Sequence, residues 1–217
     1  MIAVVDYKAG NLTSVMKALR AVNARVTLTE DPEVVRRAEK IVLPGVGHFS
    51  ATSFLDTHGL TAAIAERIAQ GVPFLGICVG MQWLLEGSSE APEQRGLGYF
   101  RGECERFPEG IVKVPHVGWN HILTRTSPAS RLFAGMQSEQ NQLVYFTHSY
   151  YVPRSSFRML PDGKTAAHAT AALTSYPERH NFASAVEHDN VMGVQFHPEK
   201  SGVTGLRILR NFVELPC

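Results

Sequence analysis

The sequence predicts an α/β fold: a central, mainly parallel sheet flanked by helices, with an antiparallel β extension. Three observations predict it. Short β-branched runs alternate with amphipathic stretches of helical length as far as Gly87, which implies right-handed crossovers between parallel strands. Two of those runs, "KIVLPGVG" and "VPFLGIC", end among glycines. From about Tyr99 the texture changes to shorter β-rich pieces with frequent turns and no linker-like tract, so the change extends one sheet rather than starting another domain. The chain has 217 residues, 44% of them hydrophobic, enough for one substantial core, and a single domain over residues 1–217 is expected.

The elements follow in order. "IAVVDY" is a β-rich run. Beyond Gly10, the stripe Leu12, Val15, Met16, Leu19 and Val22 marks a helix for which Asn11 is the expected N-cap. "RVTLT" is a second strand, and "DPEVVRRA" a helix with Asp31 as cap and Pro32 at its first position. "KIVLPGVG" is the third strand, "LTAAIAERIAQG" a helix stopped by Gly71, and "VPFLGIC" the fourth strand. "VGMQWLLEG" is expected to be a short helix closed by Gly87. The later strands are "GECERF", "VKVPHVGWNHI", "NQLVYFTHSYYV", "TAAHATA", "ASAVEHD" and "VMGVQFHP". The terminal "GLRILRNFVEL" places Leu206, Ile208, Leu209 and Phe212 at helical spacing, to pack back on the sheet.

Composition removes several classes. The formal net charge is +1 without a basic cluster, so neither nucleic acid nor an anionic membrane is an expected partner. The apolar runs fall short of a membrane span, and "MIAVVDYKAG" has the pattern of a first strand rather than of a signal peptide. Cys78, Cys104 and Cys217 form no even set and no CxxC pair, which fits a reducing cytoplasm. The histidines show no metal-ligand spacing, and no metal is expected.

The residues that carry chemistry lie at strand ends, where parallel sheets gather their sites. In "GICVG", Cys78 stands between Gly76 and Gly80, the spacing of a strand-to-helix turn that thrusts a nucleophile outward. The start of a following helix would favour thiolate, and the Val79 amide would donate to a developing oxyanion. An inert buried cysteine is the plainer explanation of such a run taken alone. "QFHPEK" adds His197 and Glu199, two apart in a stretch that Pro198 is expected to hold extended, so that both side chains share a face and the carboxylate fixes the imidazole tautomer. "LPGVGHF" has two glycines at a strand end, a mere turn or a second source of oxyanion N–H groups.

"PGVGHF", "GICVGMQ", "PHVGWN" and "QFHPEKS", in this order, resemble the triad (class I) glutamine amidotransferases, and more narrowly the glutaminase subunits of imidazole glycerol phosphate synthase. The resemblance runs from "DYKAGNL" to the terminal helix, with Val79 standing where leucine is more usual. It implies a class I glutamine amidotransferase-like fold and a glutaminase in which Cys78 is the nucleophile, His197 the acid/base and Glu199 its orienting partner. It also implies an oxyanion hole from Val46, Gly47 and Val79. Gly47, Gln82, Glu90, His148, Ser149 and Tyr150 would hold glutamine, with Glu90 facing its ammonium. No cofactor is implied. Ammonia would pass to a (β/α)8-barrel synthase subunit across a surface that includes Asn11, Trp119, Asn120, Tyr145 and Lys200. Without the resemblance, Gln82 is as well explained as a solvated helix residue and Tyr150 as a sheet residue of the core. A paralogous subunit serving another pathway, such as surface-sugar amination, stays open, as does a cysteine hydrolase. The stretch 154–180 carries no site expectation.

Overall fold

A computed structural model describes residues 1–126, 129–136, 142–153, 169–176 and 181–216. The expected strand "TAAHATA" lies mainly outside them, as does Cys217. In the first half, β1 (Ile2–Val5), α1 (Leu12–Ala21), β2 (Val26–Thr29), α2 (Pro32–Arg36), β3 (Lys40–Gly45), α3 (Ser53–Thr57), α4 (Leu60–Ala69), β4 (Phe74–Cys78) and α5 (Val79–Gln82) follow one another. The second half contains β5 (Gly87–Ser88), β6 (Glu103–Arg106), β7 (His116–Thr124), β8 (Gln142–His148), β9 (Tyr150–Tyr151), β10 (Thr170–Ser175), β11 (Asn181–His188), β12 (Val191–Val194) and α6 (Gly202–Val213). A 3-10 turn, Phe49–Thr52, leads into α3. Neither that turn nor α3 carries a periodic apolar stripe long enough to announce it.

Nine strands form one sheet in the order β2-β1-β3-β4-β12-β11-β10-β7-β8. The first five are parallel and the last four antiparallel, so the expected mixed architecture is present. Every residue of β1, β3, β4 and β12 is buried, as both faces of a helix-covered parallel sheet require. In contrast, β7 alternates between exposed and covered positions because one of its faces is open to solvent. A smaller sheet, β5-β6-β9, was not expected. Its strands of two to four residues are too short to show a period of their own.

Local chemistry explains the helix starts unevenly. Asp31 caps α2, its Oδ1 accepting the Glu33 N–H at 2.8 Å, and Pro32 opens the helix where no donor is needed. Asn11 holds the cap position of α1, but its side chain makes no capping bond. Instead α1 is held by burial of Val15, Met16, Ala18 and Leu19 and by packing on α6. In α6 the large buried apolar residues are Ile208, Leu209 and Phe212, with Leu206 only partly covered.

The expected helix from Val79 to Gly87 is corrected to the single turn of α5, and Gly87 begins β5 instead. Backbone N–H groups at that turn, rather than a long macrodipole, are what the chain presents beside Cys78. The reason for so tight a turn is steric. A Cβ on Gly76 would run into the Gly80 carbonyl, and a Cβ on Gly80 into the Leu43 carbonyl of β3. Both contacts are backbone to backbone, so neither side can yield by a rotamer change. Gly80→Ala is expected to destabilise the fold by on the order of 3 kcal/mol through overpacking. Urea unfolding would register this as a lower midpoint with an unchanged slope, and an unchanged midpoint would refute the steric account.

Candidate active site

β3, β4 and β12 are parallel neighbours in register: Gly45 lies across from Cys78, and Val194 across from Ile77. Three chain segments therefore leave the sheet side by side at its carboxyl edge: 46–48 after β3, 78–82 at the turn into α5, and 195–200 after β12. Cys78 itself has φ 54° and ψ −108°, a conformation costly for a residue with a side chain and kept only where surroundings impose it. Here the imposing surroundings are the glycine contacts above. Cys78 is 3% exposed.

His197 is fixed from behind by strand β8. Its N–H donates to the Tyr145 carbonyl at 2.9 Å. Ser201 Oγ donates to the His197 carbonyl at 2.6 Å and accepts the Tyr145 N–H at 3.0 Å. His197 is extended, as Pro198 requires of its predecessor. The chain then enters a 3-10 turn, Pro198–Lys200, so the expectation of an extended pair sharing one face is corrected. The turn brings Glu199 back under the ring, with His197 Nδ1 and Glu199 Oε1 2.9 Å apart and both side chains 1% exposed. The carboxylate accepts, so Nδ1 carries the proton and Nε2 is left toward the sulfur. Nε2 has no hydrogen-bond partner among the described residues, yet the Cys78 sulfur is near enough to act on its charge. Burial opposes an imidazolium here. Contact with the sulfur and with Glu199 outweighs it, and the His197 pKa is pushed up to about 9.

A pocket of about 180 Å³ opens above the sulfur. Its wall includes Gly47, Val79, Gln82, Glu90, His148, Ser149 and Tyr150, all named from the sequence, together with Cys78, Pro115 and Thr147. Val46 is half-buried between β3 and Gly47 and is not among the described wall residues. Gly47 has φ 107°, a left-handed conformation open to glycine. Glu90 Oε2 accepts the Phe49 N–H at 2.8 Å, tying the 46–49 loop to the far wall. Gln82 is 2% exposed, so it is not the solvated helix residue its position also allowed.

The family model for glutamine amidotransferase class-I matches residues 3–215. The chain belongs to that family. Among curated relatives of this glutamine amidotransferase is imidazole glycerol phosphate synthase subunit HisH of Thermococcus kodakarensis, 46% identical, with 99% of this chain and 100% of that one covered. Another is the subunit of the same name from Nostoc punctiforme, 45% identical with 98% and 95% covered. A crystal structure of glutamine amidotransferase has a similar fold, with TM-score 0.72 at 17% identity and 99% and 98% coverage. So does the glutaminase domain of Trypanosoma brucei CTPS with bound acivicin, with TM-score 0.65 at 18% identity and 100% and 94% coverage.

The remaining sequence-named residues of this amidotransferase lie outside the pocket. Trp119 is 55% exposed on β7 and stands edge-on to Tyr145 of β8, with ring centroids 6.0 Å apart. Lys200 Nζ lies 5.6 Å over the Tyr145 ring. Val117, Leu123 and Leu143 extend this apolar face. Asn120 is half-buried beside Trp119, and Asn11 immediately precedes α1, which packs on the turn carrying Lys200.

Sequence reading missed two polar residues behind the site. Gln195, fully buried, places Nε2 3.5 Å from Cys78 Sγ. His116, buried on β7, has Nδ1 3.2 Å from His148 Nε2. The only signal for Gln195 is the pairing of β12 with β4, which no local pattern contains. Burial lowers the His116 pKa to about 4, and burial together with the neighbouring His116 lowers that of His148 to about 3. These shifts have opposite consequences for stability. His197, raised from 6.5 to about 9, contributes stability that is complete below pH 6.5 and lost as pH climbs through 9. His116 and His148 contribute stability that is complete above pH 6.5 and lost as pH falls through 4 and 3 respectively. In proton NMR the His197 ring should titrate near pH 9, and Cys78→Ala should bring that midpoint down. A His197 midpoint unaffected by the substitution would mean that the sulfur does not act on the ring.

Proposed function

We propose that this chain is the glutaminase subunit of an imidazole glycerol phosphate synthase, acting as one unit over residues 1–217 in the cytoplasm. The observation that carries the reading is that a strained, glycine-flanked thiol lining one pocket lies beside a buried His197–Glu199 pair. The near full-length similarity to relatives named for that synthase supports it. No described helix is long and apolar enough to cross a membrane.

The reaction follows from the groups present. Glutamine enters with its ammonium toward Glu90 and its carboxylate toward the backbone and hydroxyls of His148, Ser149 and Tyr150. Cys78 sulfur, with its proton held by His197, attacks the carboxamide carbon. The oxyanion that forms is met by N–H groups of Val79 and of the Val46–Gly47 segment. His197 returns the proton to the departing nitrogen, ammonia leaves, and a thioester remains. Water, deprotonated by His197, attacks the thioester and releases glutamate. Glu199 keeps one tautomer and orientation through both halves.

Ammonia then passes to a (β/α)8-barrel partner, which joins it to its own substrate to make imidazole glycerol phosphate and an aminoimidazole carboxamide ribotide. The exposed face of Trp119, Val117, Leu123 and Leu143, rimmed by Lys200, supports this partnership. An apolar patch with an aromatic at its centre is the usual anatomy of an interface core. Neutral ammonia crosses such a face more readily than ammonium, whose desolvation is far costlier.

Two measurements test the reading. In the reconstituted complex, Cys78→Ala should reduce glutamine-dependent synthesis by a factor on the order of 10⁴, while synthesis from added ammonium salt continues. Loss of both would mean that the cysteine supports assembly rather than chemistry. Trp119→Ala should weaken partner binding by about 2 kcal/mol, roughly thirtyfold in Kd by calorimetry. An unchanged Kd would place the partner elsewhere.

A further inference from the structure

We propose that Gln195 is a positioning residue for the Cys78 sulfur, its side-chain amide donating to Sγ and being locked in that sense by a chain of acceptor-limited hydrogen bonds. The inference rests on the reading of Cys78 as nucleophile. Gln195 continues β12 by one residue, its N–H bonded to the Ser184 carbonyl of β11 at 2.9 Å. Since Val194 lies across from Ile77, register alone brings Gln195 level with Cys78.

The direction of the amide is decided elsewhere. Gln195 Oε1 lies 3.1 Å from Gln82 Nε2, and that same nitrogen lies 3.0 Å from the Tyr150 carbonyl. A carbonyl only accepts, so Gln82 donates in both directions and Gln195 must turn its oxygen toward Gln82. Its NH₂ group then faces the sulfur at 3.5 Å. The Tyr150 carbonyl also takes His148 Nδ1 at 2.8 Å, which leaves His148 Nε2 bare to accept from His116 Nδ1 at 3.2 Å. His116 Nε2 is bare in turn and accepts from Asn120 Nδ2 at 3.4 Å. The outer end agrees with this tautomer of His116. Asn120 Oδ1 accepts the His121 N–H at 2.7 Å, so its nitrogen is the donor.

Flipping Gln195 would set two NH₂ groups against each other, losing the bond to Gln82, and would leave a thiolate facing a carbonyl oxygen. The amide is therefore a fixed donor. A donor to sulfur favours thiolate over thiol, because a hydrogen bond to the charged form is the stronger one, and it holds Sγ in one rotamer beside His197. Among the described residues, the titratable groups coupled to this sulfur include His197 after β12, Tyr7 after β1 and Cys104 on β6. None of them replaces a neutral, permanently oriented donor.

The test is alkylation of Cys78 by chloroacetamide in the isolated chain, followed across the neutral and alkaline range. Gln195→Glu keeps the acceptor for Gln82 and replaces the donor by an acceptor. Its alkylation should be roughly tenfold slower than that of the wild type at neutral pH, the scale of one lost hydrogen bond to a charged group. Gln195→Met should slow it less. Profiles of both variants superimposed on the wild type would overturn the proposal. A variant that does not fold leaves a measurement on the wild type. The Gln195 side-chain amide, followed by ¹⁵N NMR, should exchange slowly and shift when Cys78 is alkylated, and an unmoved signal overturns the proposal equally. Chloroacetamide reports on the sulfur whatever the substrate is. A wild-type complex that leaves glutamine intact would defeat the glutaminase reading and leave this one standing, while superimposed profiles do the reverse.

Discussion

Parallel pairing of β3, β4 and β12 is the constraint on which the rest depends. Once Gly45 is level with Cys78 and Val194 with Ile77, three segments far apart in sequence leave the sheet side by side. The pairing is held by strands buried on both faces, and burial of that kind is specific because a slip of one residue reverses every side chain. Close approach of α5 to β3 is the second half of the same constraint. Two glycines permit it, and it forces the conformation of Cys78 that a free chain would avoid.

Within this frame identical side chains acquire opposite character. His197, His116 and His148 are all buried, and burial pushes each toward the neutral form. Only His197 faces a carboxylate and a sulfur, and these reverse the sign. His116 and His148 face each other and otherwise neutral hydrogen-bonding groups, so burial prevails. One imidazole is suited to carry a proton beside the thiol. The other two serve as fixed, uncharged links in a polar chain.

The antiparallel half has two duties at once. From the inside, the Tyr145 backbone clamps the peptide of His197 and, through Ser201, the turn that follows. On the outside, the same strand pair exposes Trp119, Leu123 and Leu143. A surface suited to a partner and the scaffold of the proposed base are thus opposite sides of one two-stranded unit. Asn120 sits on that unit, at the outer end of the chain of hydrogen bonds that ends at sulfur.

Much was legible without coordinates because it is written locally. Alternating β-branched and amphipathic runs showed the α/β order, Asp31 and Pro32 the start of α2, and the pair Gly76 and Gly80 a turn into which no side chain fits. The glycine-spaced cysteine and the "HPE" triplet marked out Cys78, His197 and Glu199, because their chemistry lies in neighbours one or two residues away. What was misread depends on distance. The helix after Cys78 is one turn, since β6 captures Gly87. Glu199 meets His197 through a 3-10 turn rather than an extended run. Gln195 and His116 gave no local sign, because their partners are set by strand order and by which carbonyl can only accept. Residue type and spacing determined which groups this chain has available, while packing of strands distant in sequence decided which of them touch, how they are oriented and which carry charge.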